Sequence, residues 1–179
     1  LVGSEMCIRD RCVHFSKWKE TMNKQSRLLF VCMGNICRSP TAEGIMLHLI
    51  SKDGLENLIE CDSAGTHGYH VGEPADSRMR MHTQIRGYDL PSRSRKLHPE
   101  SDFPYYDWML VMDDRNYEDV LGLDSSQEYA HKIRRMTDFC QTMKVNEVPD
   151  PYYGGDAGFE LVIDICLLYT SDAADDIPR

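Results

Sequence analysis

The chain has 179 residues, 41% of them apolar and 27% charged, which suits one soluble domain with a full core and excludes a disordered chain. Its formal net charge of −9 argues against a general nucleic-acid binder, and no apolar run approaches the roughly 18 residues that span a bilayer. Seven cysteines are too sparse for a disulfide scaffold.

The first eleven residues read LVGSEMCIRDR. They resemble a translation of the transposase adaptors used in sequencing libraries, whose shared end gives Met6-Cys7-Ile8-Arg9-Asp10. Near the other end, Cys166-Leu167-Leu168-Tyr169-Thr170-Ser171 resembles the reverse complement of that adaptor in another frame. The two resemblances imply a non-native head over 1–11 and a non-native tail over 166–179. Between them lie an N-terminal extension over 12–26 and one domain over 27–165. Setting the ends aside keeps the charge acidic and leaves Cys12, Cys32, Cys37, Cys61 and Cys140. With no secretory h-region in view, scattered cysteines point to a reducing, cytoplasmic compartment.

Arg27 to Cys32 is a short continuous apolar run and predicts a buried parallel strand. A helix is expected from Pro40 to Ile50, with Ser39 as its N-cap and Gly54 as its stop. Leu58 to Ser63 predicts a second strand, and Ala64 to Pro74 a glycine-rich loop. Ala75 to Arg86 reads as a helix, Asp107 to Met112 as a third strand, Asp114 to Leu121 as a helix and Lys132 to Met136 as a weaker fourth strand. After Gly154-Gly155 a last helix is expected, capped by Asp156, with Phe159, Val162, Ile163 and Cys166 at helical spacing. Such alternation predicts an α/β fold: a small doubly wound four-stranded parallel sheet flanked by helices.

The chemistry concentrates between the first strand and the first helix, in Cys32-Met33-Gly34-Asn35-Ile36-Cys37-Arg38-Ser39-Pro40. A loop leaving a strand for a helix N-terminus is an anion site, because backbone N–H groups and the helix dipole both favour negative charge. A cysteine there is placed to act as a thiolate nucleophile. Arg38 can fold back and donate two parallel hydrogen bonds to a phosphate. Gly34 would give the loop unusual φ/ψ values and a close backbone approach. Ser39 could donate to the thiolate. At the far end of the chain, Val148-Pro149-Asp150-Pro151-Tyr152-Tyr153 offers Asp150 as a general acid, held on a loop stiffened by Pro151.

The run VCMGNICRSPTAE resembles the low-molecular-weight protein tyrosine phosphatase family, and Val148 to Gly155 resembles that family's aspartate loop. The resemblance extends from about Arg27 to Ile165. It implies hydrolysis of phosphotyrosine in proteins through a cysteinyl-phosphate, with Cys32 as nucleophile, Arg38 as phosphate clamp and Asp150 as general acid and base. Met33, Gly34, Asn35, Ile36, Cys37 and Ser39 would surround the phosphate, with Tyr69 and Tyr152 as aromatic walls. Asp62 to Thr66 and His70 to Asp76 extend the likeness, which implies that Ser63 bonds Asn35 and holds the loop's turn. Asp113 and Asn116 match the end of the family's third strand, where Asp113 reads as structural. Arg86 stands where some members carry histidine. Cys37 reads either as packing behind the loop or as a redox partner for Cys32.

Six basic residues between Arg78 and Lys96 read as a solvated face, or as a steering patch for anionic phosphoproteins. No histidine or cysteine spacing suits a metal, so neither metal nor cofactor is expected. The expected partners are phosphotyrosine-containing proteins or small aryl phosphates, with no nucleic acid and no membrane. Two other activities share the fold. A protein arginine phosphatase would carry threonine at Ile36, and a thiol-linked arsenate reductase would need a cysteine relay, for which Cys61 and Cys140 are the candidates.

Overall fold

The computed structural model describes residues 25–139, 145–152 and 154–176. Its elements are β1 (Ser26–Cys32), α1 (Arg38–Asp53), β2 (Ile59–Gly65), α2 (Ser77–Ile85), α3 (Pro99–Tyr105), β3 (Trp108–Val111), α4 (Asp114–Leu123), β4 (Ile133–Arg135) and α5 (Asp156–Asp176). Short 3-10 turns at Ala130–Lys132 and Met136–Phe139 flank β4. The four strands form a parallel sheet in the order β2-β1-β3-β4. Cys12 and the rest of 1–24, with Cys140, Tyr153 and 177–179, lie outside the described residues.

β1 is central and buried on both faces, which is why its apolar run is continuous rather than alternating. Leu28, Phe30 and Cys32 point into one core cluster with Ile45 and Met46 of α1 and Phe159, Val162 and Ile163 of α5. Leu29 and Val31 point into the other, with Phe103 of α3, Val111 of β3 and Val120 of α4. Apart from Cys32, each of these side chains contributes about 1.5–3 kcal/mol by leaving water. β2 and β3 flank β1 on opposite sides, so the carboxyl end of β1 is the point where the winding reverses. Open α/β sheets bind their ligands in the crevice at that point.

The boundaries differ from expectation where a side chain has another task. α1 begins at Arg38 rather than Pro40, and its N-cap position is Cys37, without a side-chain cap. Ser39 lies inside the helix, with its hydroxyl turned toward Cys32. α2 begins at Ser77 because Asp76 caps it, accepting from Arg78 N. α1 does stop at Gly54, which takes the left-handed conformation (φ 63°) and donates to Ile50 O and Ser51 O. α5 continues past Ile165, and Cys166 and Tyr169 extend the Phe159–Val162–Ile163 stripe into the core, where both are fully buried.

Candidate active site

The loop from Cys32 to Arg38 turns on Asn35, not on Gly34. Asn35 has a positive φ of 54°, a conformation that costs a side-chain-bearing residue about 1–2 kcal/mol. Its amide meets that cost with three bonds. Nδ2 donates to Ser39 Oγ at 2.9 Å and to Ser63 Oγ at 2.8 Å, and Oδ1 accepts from Arg95 N at 2.8 Å. Ser63, on β2, in turn donates its hydroxyl hydrogen bond to Glu43 Oε2 at 2.6 Å. Gly34 sits against His70, whose Cδ2 would lie 3.4 Å from an added Cβ.

Ser39 Oγ accepts from Asn35 Nδ2 and lies 3.0 Å from Cys32 Sγ, so its own hydrogen can serve the sulfur once that is a thiolate, in place of the longer 3.4 Å contact to Ala64 O. The Asn35 backbone N–H also points at Cys32 Sγ, at 3.3 Å. A backbone N–H and a hydroxyl able to donate thus converge on one sulfur, which suits a thiolate that attacks and later departs. Cys37 is different. Burial pushes its thiol up, helped by the nearby charges of Asp76 and Cys32, so it remains a neutral thiol.

Arg38 is 3% exposed. Its Nη1 donates to Asp113 Oδ2 and, at 3.1 Å, to Val148 O; its Nη2 reaches Asp150 Oδ2 at 3.4 Å. Asp113 follows β3 and caps α4 by accepting from Asn116 N at 2.7 Å. One carboxylate thus orients the guanidinium and anchors the helix beside it. Sequence spacing alone gives no sign of this pairing.

Cys32 and Arg38 open onto a cavity of about 280 Å³ shared with Met33, Gly34, Ile36, Cys37, Tyr69, Asp150 and Tyr152. Asn35, Ser39 and Ser63 are buried behind it. His70, which the sequence marks only as the start of the likeness over His70 to Asp76, also lines the cavity; its Nδ1 pairs with Glu73 Oε2 at 2.8 Å. Tyr69 is 73% exposed and stacks on His67 at 5.2 Å. The site thus gathers a sulfur, a guanidinium and a carboxyl group around a pocket with aromatic sides. Among the described residues, no group of three His, Cys, Asp or Glu side chains is arranged to hold a metal.

The profile of the family described as low molecular weight phosphotyrosine protein phosphatase matches residues 27–167. The chain belongs to that family. A Synechocystis sp. protein named after this phosphatase family is 50% identical over 139 residues, which is 78% of this chain and 88% of that one. A protein tyrosine phosphatase structure from Entamoeba histolytica is 48% identical with a TM-score of 0.80, covering 84% of this chain and 95% of that one. A solved Drosophila arginine phosphatase is 27% identical with a TM-score of 0.76, covering 82% and 94% respectively.

Within this phosphatase, half of the six basic residues between Arg78 and Lys96 are paired with carboxylates. Arg78 bonds Asp76, Arg86 bonds Glu160 and Asp164, and Arg95 bonds Asp62 and Asp102. Cys61 is buried on β2 with its sulfur 3.9 Å from Glu43 O. It does not line the cavity, and Cys140 lies outside the described residues. No helix among the described residues is long and apolar enough to cross a membrane.

Proposed function

We propose that this phosphatase hydrolyses phosphotyrosine in proteins, and small aryl phosphates, by two displacements at phosphorus. Cys32 Sγ attacks the phosphorus while Asp150 gives its proton to the departing phenolate oxygen, leaving a cysteinyl-phosphate and a free phenol. A water then attacks that phosphorus, Asp150 takes its proton, and the Cys32 thiolate departs as inorganic phosphate is released. Arg38 and the loop N–H groups hold the phosphoryl oxygens in both steps. Ser39 donates to the sulfur when it leaves.

The observation that carries the reading is the convergence of Ser39 Oγ and Asn35 N on Cys32 Sγ, in a cavity that Arg38 and Asp150 also line. Ile36 adds an apolar side chain to that cavity, which favours a phenyl ring over a guanidinium and so phosphotyrosine over phosphoarginine. The buried thiols of Cys32, Cys37 and Cys61 support a cytoplasmic location.

The test compares phosphotyrosine and phosphoarginine peptides with wild type, Cys32→Ser and Ile36→Thr. Wild type is expected to prefer phosphotyrosine, Cys32→Ser to be inactive on both, and Ile36→Thr to narrow the preference. A wild type that prefers phosphoarginine would overturn the substrate assignment.

A further inference from the structure

α2 is tied to the phosphate loop by its first residues. Asp76 N donates to Ile36 O at 2.8 Å, and the Asp76 carboxylate accepts Arg78 N at 2.8 Å to start the helix. The same carboxylate takes two bonds from the Arg78 guanidinium: Nε to Oδ1 at 3.1 Å and Nη2 to Oδ2 at 2.9 Å. A two-pronged pair fixes the plane of a guanidinium as well as its place.

That plane meets two rings. The guanidinium carbon lies 5.4 Å from the Tyr152 centroid and 5.0 Å from that of Phe159, both within cation–π range. One turn along α2, on the same face, His82 stacks on Phe159 at 5.5 Å with 12° between the planes, and its Nδ1 pairs with Glu160 Oε1 at 2.6 Å. Phe159, in the first turn of α5, is thus braced by Arg78 and His82 together. Tyr152 stands in the turn before α5, lines the cavity and is 37% exposed. A half-exposed ring in a turn has rotamers to lose, and a fixed cationic plane beside it removes some of them in advance.

We infer that Arg78 is a positioning residue that holds Tyr152 as a wall of the cavity, and that Asp76 ties this wall to the phosphate loop, so that the pair sets the preference for a flat aryl ester. The inference rests on the phosphatase reading of the same cavity. It separates two parts of binding. Anything that uses only the loop, such as inorganic phosphate, is indifferent to Arg78. Anything that also carries a ring depends on it.

The experiment uses the full chain with Arg78→Met, Asp76→Asn, Tyr152→Ala and the Arg78→Met/Tyr152→Ala pair. Phosphotyrosine-peptide turnover gives kcat and KM, and calorimetry gives the affinities for phenylphosphonate and inorganic phosphate. Arg78→Met is expected to raise KM and weaken phenylphosphonate about fivefold, with kcat and phosphate affinity changed less than about twofold. Asp76→Asn, which keeps a capping oxygen but loses the charge, should shift the same quantities less. In the Tyr152→Ala background, Arg78→Met should add nothing, because two residues that act as one unit are not additive. Equal weakening of both anions, an unmoved phenylphosphonate affinity, or full additivity with Tyr152→Ala would overturn the inference. A wild type that hydrolyses no phosphotyrosine peptide defeats the phosphatase reading along with it. A wild type that does, with phenylphosphonate unmoved in Arg78→Met, defeats this inference alone.

Discussion

Asn35 donates through Nδ2 to Ser63 Oγ at 2.8 Å, joining the turn of the phosphate loop to the adjacent strand β2. The bond holds a residue whose φ of 54° would otherwise relax. Ser63→Ala removes it and leaves a buried amide hydrogen without its acceptor, which is expected to cost about 1–3 kcal/mol of stability. The loop donors should lose aim at the same time, so kcat is expected to fall more than KM rises. Urea unfolding and steady-state kinetics on the one variant check both.

Glu43 accepts from that same Ser63 hydroxyl. Burial pushes its carboxyl above the ordinary range, outweighing the Ser63 and Ser92 hydrogen bonds that pull it down. Between the ordinary value and the raised one, the folded protein therefore holds more protons than the unfolded chain. Its contribution to stability is full below about pH 4 and declines as pH rises through the raised value. Glu43→Gln cannot titrate and should flatten this decline. Urea midpoints measured from acid to neutral pH would show it, and parallel profiles for variant and wild type would contradict it.

Asp150 contacts the edge of Arg38 at 3.4 Å and lines the cavity. A general acid matters most when the departing oxygen is basic. Asp150→Asn is expected to lower kcat by about 10²–10⁴ for phenols of high pKa, and by much less for nitrophenols, which leave without help. A series of aryl phosphates gives the dependence on leaving group, and an equal loss across the series would count against the role.

Cys32 and Cys37 line one cavity, and both are buried. Peroxide would convert the Cys32 thiolate to a sulfenic acid. The Cys37 thiol could then condense with it, forming a disulfide and releasing water. Wild type treated with mild peroxide should regain its rate on adding a thiol, measured relative to its own untreated rate. Cys37→Ser should regain less, because its sulfenic acid is open to further oxidation. Equal recovery would leave Cys37 a packing residue.

The strand-to-helix loop was legible because its residues are contiguous and their chemistry is local. β1 and β3 were legible because strands buried on both faces are continuous apolar runs. α3 was not, since seven residues with Pro104 inside them carry little helical signal. Ser39 reads as a helix cap by type, but its hydroxyl instead meets the Cys32 sulfur and the Asn35 amide, contacts that come from tertiary structure. The left-handed position falls on Asn35 rather than Gly34 because partners from α1, β2 and the 92–96 segment stabilise it there. The pairing of Arg38 with Asp113, the placing of Glu43 behind Ser63 and the entry of His70 into the cavity all depend on segments distant in sequence. Local spacing does not encode such contacts.

The proposed mechanism turns on a phosphoryl group carried on Cys32. Acid-quenching wild type, Asp150→Asn and Cys32→Ser within the first turnovers of an aryl phosphate, then mapping peptides by mass, tests for it directly. A phosphorylated Cys32 peptide is expected to build up in Asp150→Asn given an ester of an acidic phenol, and to be absent from Cys32→Ser, which turns over nothing. Phosphate on another residue, or turnover by Cys32→Ser at the wild-type rate, would contradict it.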